Sequence, residues 1–312
     1  MATTDGAHIW PPRAADPRII ELLDGATRTA DIATDVRLAL ASRLSLTAAQ
    51  ANAHSVDDLW YRFLISESLG SKTHEPFSPD FTTGVPDDDF ASVSFLSGFE
   101  GIDESTTIVD EGPVGHTGIT ANANAQLDTA QKKFGDSSLL LDGTGDNVTI
   151  DDHASLTLAA GDFTIEAHVR FNGDPGTDPR TIVSKWTEGT NQREWWLQTQ
   201  DNVLQFYIST NGSGLALKAS SSFNPAADTW YHIAVCRTGG LAYFFVDGVA
   251  HGNAGLTETI FDGSSPVIIG SSIGSFPNYA NGWVDELRIT KGVARYTTGF
   301  TPPDAAYPRT GP

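Results

Sequence analysis

Beyond residue 91 the chain alternates between apolar and polar positions in short runs. The cleanest covers 162–171, where Phe163, Ile165, Ala167, Val169 and Phe171 fall on one side and Thr164, Glu166, His168 and Arg170 on the other. A period of two marks a strand with one buried face. Similar runs at 92–99, 137–141, 147–150, 181–186, 193–199, 203–209, 214–220, 267–269 and 282–290 are separated by Gly- and Asp-rich turns. A long polar excursion follows the first of them, through Gly118. The stretch WYHIAVCRTGGLAYFFVDGVA at 230–250 organises the rest. If Gly239 and Gly240 form a two-residue hairpin loop, Thr238 faces Leu241 and Ile233 faces Val246. Ile233, Val235 and Arg237 then share the core face with Val246, Phe244 and Ala242. The opposite face carries His232, Ala234, Cys236, Phe245 and Tyr243, so neither side is strongly polar. Asp247-Gly248 makes a second sharp turn. The pattern predicts a mostly β, two-sheet antiparallel sandwich over 92–307, with 308–312 as a tail.

The first 75 residues follow another period. Ile32, Val36, Leu40 and Leu44 recur every four residues, a helix with one apolar stripe. Ser55 and Asp58 resemble a capping box ahead of Leu59, Trp60, Phe63 and Leu64, in a helix ending near Gly70. Trp10 sits on a proline-stiffened arm before Pro11-Pro12. These groups either pack on the β domain or dock on a partner. The second reading makes Trp10, Ile32, Val36, Leu40, Leu44, Leu59, Trp60 and Phe63 a partner-binding and oligomerisation surface. Residues 76–91, with three prolines and the run Asp87-Asp88-Asp89, read as a linker bearing solvated charge.

Charge narrows the partners. Thirty-nine acidic against 19 basic residues give a net charge of -20. Such a surface repels nucleic-acid backbones and anionic membranes, and no nucleic-acid partner is expected. No apolar run approaches the length of a spanning helix, so no membrane insertion is expected. The start, MATTDGAHIWPPR, has neither a basic region nor an apolar core, so no signal peptide is expected. Cys236, the single cysteine, has no internal disulfide partner.

Five segments carry a family resemblance: KFGDSSLLLDGTGDNVTI (133–150), GDFTIEAHVRF (161–171), WYHIAV (230–235), FFVDG (244–248) and GWVDELRITKGVARY (282–296). Together they resemble the laminin G-like, concanavalin A-like lectin/glucanase jelly roll. The terminal VDELRITKGVARYTTGFTPP (284–303) is similar to domains of tailed-bacteriophage structural proteins, and HSVDDLWYRFLISESLG (54–70) resembles helical segments of virion proteins. The resemblance implies a non-enzymatic protein displayed on a virion surface, as capsid decoration or tail-fibre component. Its partners would be other virion proteins or copies of itself, and cell-surface glycans. The alternative is a free-standing or secreted carbohydrate-binding adhesin.

Glycoside hydrolysis is not expected. Glucanases of this fold carry acid and nucleophile on alternate residues of one strand face, so that two carboxylates flank one bond. Here Glu166 is followed in phase by His168, and Asp285-Glu286 point to opposite faces. Asp285 is in phase with Trp283, Leu287 and Ile289 and is therefore expected on the apolar side, where a carboxylate needs a cation or several donors. Family resemblance implies a structural calcium there, with Glu100, Asp103 and Asp110 as companions. The other reading pairs Asp285 with an arginine or backbone amides. Trp186, Trp195, Trp196, Tyr207 and Tyr243 are candidates for a sugar-stacking platform, because flat rings cover the C–H face of a pyranose. The other reading places most of them in the core or in the hollow of a curved sheet.

Overall fold

The computed structural model describes residues 86–274 and 278–312. The helical region expected over 1–75, with its eight partner-binding candidates, and residues 76–85 of the linker lie outside the described residues. The described chain forms fifteen strands: β1 (Val93–Ser97), β2 (Ile119–Asn122), β3 (Gln126–Asp128), β4 (Ser138–Asp142), β5 (Asn147–Ile150), β6 (Phe163–Phe171), β7 (Arg180–Thr187), β8 (Gln192–Gln200), β9 (Val203–Gly212), β10 (Ala216–Ser222), β11 (Trp230–Thr238), β12 (Leu241–Val246), β13 (Val249–Gly255), β14 (Val267–Ile269) and β15 (Asn281–Lys291). They build two sheets, ordered β13-β12-β11-β6-β15-β4-β3 and β10-β9-β8-β7-β14-β5-β2. β15 is long enough to serve two neighbours along one edge, β4 over its first half and β1 over its second. The architecture is a jelly-roll sandwich. Its core lies between the inward faces, where Phe95, Phe163, Ile165, Phe206, Val235, Phe244 and Leu287 pack together.

The central hairpin has the register expected from Gly239-Gly240, with Thr238 opposite Leu241 and Ile233 opposite Val246. Both glycines have positive φ, 59° and 76°, the conformation that twists with the flanking strands. The Asp247-Gly248 turn is similarly left-handed, at 47° and 72°. A side chain on Gly248 would meet the Phe300 carbonyl carbon and oxygen, so the chain after β15 rests directly on this turn.

That contact belongs to a larger cover over the outer face of the first sheet. Two segments form it, 86–92 and 294–312, and beneath them lies a buried charged network. Glu166 on β6 accepts hydrogen bonds from Arg288 Nε and Nη2 at 2.9 and 2.8 Å and from Tyr296 Oη at 2.9 Å. Arg288 also reaches Asp87 at 3.1 Å, and Arg295 grips Asp87 with two bonds of 2.9 and 2.7 Å. Asp87 is thus a buried anchor of the sandwich, not part of a solvated run: two guanidinium groups offset its desolvation. Nor does the folded unit stop at 307. Arg309 pairs with Glu286 at 2.7 Å, and the Asp87 amide donates to the Thr310 carbonyl at 3.1 Å.

One strand departs from its sequence pattern. Val284, Leu287 and Ile289 enter the core, so the inward parity changes between Val284 and Leu287. A bulge between Asp285 and Arg288 causes this, with Glu286 at φ 49°. Asp285 is therefore out of phase with Leu287 and Ile289. It points with Trp283 and Arg288 to the covered outer face.

Candidate functional site

Among the described residues no segment covers the aromatic side of the second sheet's outer face. Strand pairing there sets Ser184, Trp196, Tyr207 and Leu217 opposite one another across β7, β8, β9 and β10. The Trp196 and Tyr207 rings lie 5.6 Å apart with 35° between their planes, and Trp186 stands 5.8 Å from Trp196 at 47°. A second row runs beside the aromatics, two residues along β8 and β9 and, across a bulge, three along β7. Thr181, Gln198 and Gln205 are its members, in register across β7, β8 and β9.

Hydrogen bonds lock the two rows together. Trp196 Nε1 donates to Thr181 Oγ1 at 2.9 Å, and Tyr207 Oη donates to Gln205 Oε1 at 3.3 Å. Gln198 Nε2 donates to Gln205 and Gln200 at 2.9 and 3.0 Å, while its own oxygen accepts from Asn278 Nδ2 at 3.2 Å. Burial, and secondarily the Asp201 charge, push the Tyr207 phenol up, so it stays a neutral donor. Trp186, Trp196, Gln198, Gln200 and Tyr207 floor a groove of about 380 Å³ walled by Pro179, Glu188, Leu215, Ser272, Gly274 and Asn278; Thr181 and Gln205 brace it from beneath the surface. This is the mixture of apolar surface and oriented polar groups that small-molecule sites present.

Three of the five candidate aromatics therefore line one groove, and two do not. Trp196 and Tyr207 are half-buried and supply the ring faces, whereas Trp186 is 2% exposed and braces Trp196 from below. Trp195 is fully buried in the core beside Phe206, because neighbouring strand residues point to opposite faces. Tyr243 belongs to the first sheet, against Phe245, Tyr296 and Phe300 under the C-terminal cover. Sequence reasoning missed the amide row. Its signal was the period-two spacing Trp196, Gln198, Gln200 along β8.

The four candidate metal carboxylates do not gather. Asp110 accepts from the Leu96, Gly112 and His116 amides, and Asp103 accepts from Thr129. Asp285 and Glu100 hold opposite ends of one loop: Asp285 takes the Lys133 and Phe134 amides at 2.7 and 3.0 Å, and Glu100 takes the Asp136 amide at 2.7 Å. Asp285 Oδ1 is buried without a hydrogen-bond partner. Burial pushes the Asp285 carboxyl up to about 8, with the Glu286 and Glu100 charges adding to it and the two amides opposing. Burial likewise moves Glu100 to about 7. Among the described residues, no three His, Cys, Asp or Glu side chains cluster closely enough to hold a metal ion. The full set of four does not fit a calcium site. Asp285 and Glu100 are the two that grip the same loop, 133–136.

Catalytic carboxylate pairs flank a bond from two sides. Among the described residues Glu188 is the one acidic group lining the groove, and it is paired with Arg193 at 3.2 Å. Glu166 is fully buried on the other sheet and committed to Arg288. Fold and site together define a lectin-type jelly-roll sandwich with an aromatic-lined groove on its second sheet.

Comparison with known proteins agrees on the fold. Residues 142–295 match the family described as the Concanavalin A-like lectin/glucanases superfamily. No curated protein sequence matches the chain. Among solved structures, the binding domain of Paraclostridial Mosquitocidal Protein 1 superposes with a TM-score of 0.53 at 13% identity, over 65% of this chain and 50% of that one. The binding domain of botulinum neurotoxin DC, solved in complex with rat synaptotagmin II, gives 0.51 at 14%, over 66% and 49%. A botulinum neurotoxin type C structure, whose cell entry depends upon interaction with two ganglioside molecules, gives 0.51 at 16%, over 66% and 49%. The chain spans about half the length of these structures. At such identities the likeness shows the fold alone.

Proposed function

We propose that this protein is a non-enzymatic carbohydrate-binding adhesin whose saccharide site is the groove on the outer face of the second sheet. The observation that carries the reading is the pair of half-buried rings, Trp196 and Tyr207, lining the groove beside Gln198 and Gln200 on one rigid strand surface. Rings supply apolar faces for pyranose C–H groups, and the half-buried Gln200 carboxamide on the groove floor offers both a donor and an acceptor to hydroxyls. Placement on rigid strands holds these groups at fixed spacing before a ligand arrives.

Adjacent tryptophans provide the test. Trp196→Ala or Tyr207→Ala should weaken saccharide binding in calorimetry by about 1–2 kcal/mol each, roughly five- to thirtyfold. Neither should move the melting temperature much, because both rings are partly open. Trp195→Ala should instead cost about 3–5 kcal/mol of stability as a core deletion. Unchanged binding in both groove variants would remove the site.

Display on a virion is a second proposal. It rests on the resemblance of 284–303 and 54–70 to phage structural proteins, with residues 1–75 as the attachment region. The comparisons favour the adhesin reading. A structural calcium held by Asp285 and Glu100 is a further, separate proposal, supported by the unpartnered Asp285 Oδ1.

A further inference from the structure

The groove carries more information than a preference for sugars, and three observations define its ligand. The first is charge. Among the described residues no lysine or arginine lines it, and the acidic group that does, Glu188, is matched by Arg193. The guanidinium groups nearest in the strands are engaged: Arg193 with Glu188, and Arg180 with Asp178 at 3.4 Å. A sialic, uronic or sulfated sugar would leave its anion desolvated there without a cation, inside the field of a chain with net charge -20.

Shape is the second. The two half-buried rings, Trp196 and Tyr207, are inclined to one another by 35°. No flat surface can cover them together. A single chain whose successive rings turn relative to each other can.

Length is the third. The row continues beyond Tyr207 to Leu217, 46% exposed and opposite it in register, with Leu215 at 63% on the groove wall. Apolar surface on this side extends past what one pyranose covers.

Resting on the saccharide reading above, we propose that the groove takes an internal stretch of an uncharged, single-stranded oligosaccharide, running across the strands from Trp196 over Tyr207 toward Leu217. It discriminates against acidic sugars and against crystalline polysaccharide faces.

The test uses the full chain in titration calorimetry with soluble gluco- and galacto-oligosaccharides of increasing length, the matching oligouronates, a sialylated oligosaccharide, and crystalline cellulose in a pull-down. Neutral oligomers should bind more tightly as length grows from one ring to three, with affinity indifferent to salt. Acidic counterparts should be weaker by at least about tenfold, and cellulose should not retain the protein. Glu188→Lys, which places a cation on the groove wall, should gain affinity for the oligouronates while keeping that for neutral chains.

Equal or tighter binding of uronate or sialylated ligands, lost in Trp196→Ala, would overturn the ligand class and leave the site standing. So would retention on crystalline cellulose or binding of monosaccharide as tight as trimer. Neutral-oligomer binding that survives both Trp196→Ala and Tyr207→Ala would overturn the site itself. Binding of no saccharide at all would overturn both.

Discussion

Replacing Glu166 by glutamine tests the physical account of the covered sheet. The carboxylate is fully buried. It receives two bonds from Arg288 and one each from Tyr296 and Tyr307, with His232 Nε2 at 3.2 Å. Glu166, Arg288, Asp87 and Arg295 form an alternating chain of two acids and two bases. Glutamine keeps the shape and removes one negative charge, leaving a buried surplus cation at Arg288. Breaking a buried pair in this way costs about 3–5 kcal/mol. At roughly 2–4 °C per kcal/mol for a domain of this size, melting should fall by about 6–20 °C.

The double variant Glu166→Gln/Arg288→Met supplies the control. It removes one charge of each sign, and Asp87 remains matched by Arg295, so most of the loss should be recovered. Calorimetry and urea titration of the four proteins read the coupling directly. Acid titration adds an independent check. Burial alone would raise the Glu166 pKa, but the Arg288 charge, the His232 contact and the Arg295 charge hold it well below the usual carboxylate range. A depressed carboxylate stabilises the fold above its unfolded value, near 4.5, and loses that contribution as pH falls. Below pH 4.5 the wild type should therefore lose stability more steeply than Glu166→Gln, by about 1.4 kcal/mol per pH unit. A single-variant cost under about 1 kcal/mol, or strictly additive losses, would refute the reasoning.

Two further outcomes are expected. If Asp285 and Glu100 hold calcium, added calcium should raise the wild-type melting temperature and leave Asp285→Asn unmoved; equal shifts in both proteins would end that proposal. If residues 1–75 form the attachment region, a protein beginning at Thr83 should fold and bind saccharide while failing to assemble onto particles lacking the full chain. Particle occupancy by that shortened protein would show the division of labour to be wrong. The starting point matters, since beginning at Ser92 would remove Asp87 and unbalance Arg288 and Arg295.

What the sequence determined by itself is local and periodic. The alternation in 162–171 assigned each residue of β6 to its face, and Gly239-Gly240 set the register of β11 against β12, because two-residue loops and a pleat of period two leave little choice. Trp196 and Tyr207 were legible as aromatic candidates on neighbouring strands. Their registration with each other was not, since it depends on the pairing of β8 with β9. The parity of Asp285 was misread for a definite reason. The bulge at Asp285–Glu286 is one extra residue relative to the partner strand, and no residue pattern within β15 marks it. Asp87 looked like one of three solvated carboxylates until Arg288 and Arg295, some two hundred residues away, were brought against it. Short-range stereochemistry chooses strands, faces and turns. Which charges are desolvated, and which rings share a groove, is decided only when distant segments close over one sheet and neighbouring strands pair in the other.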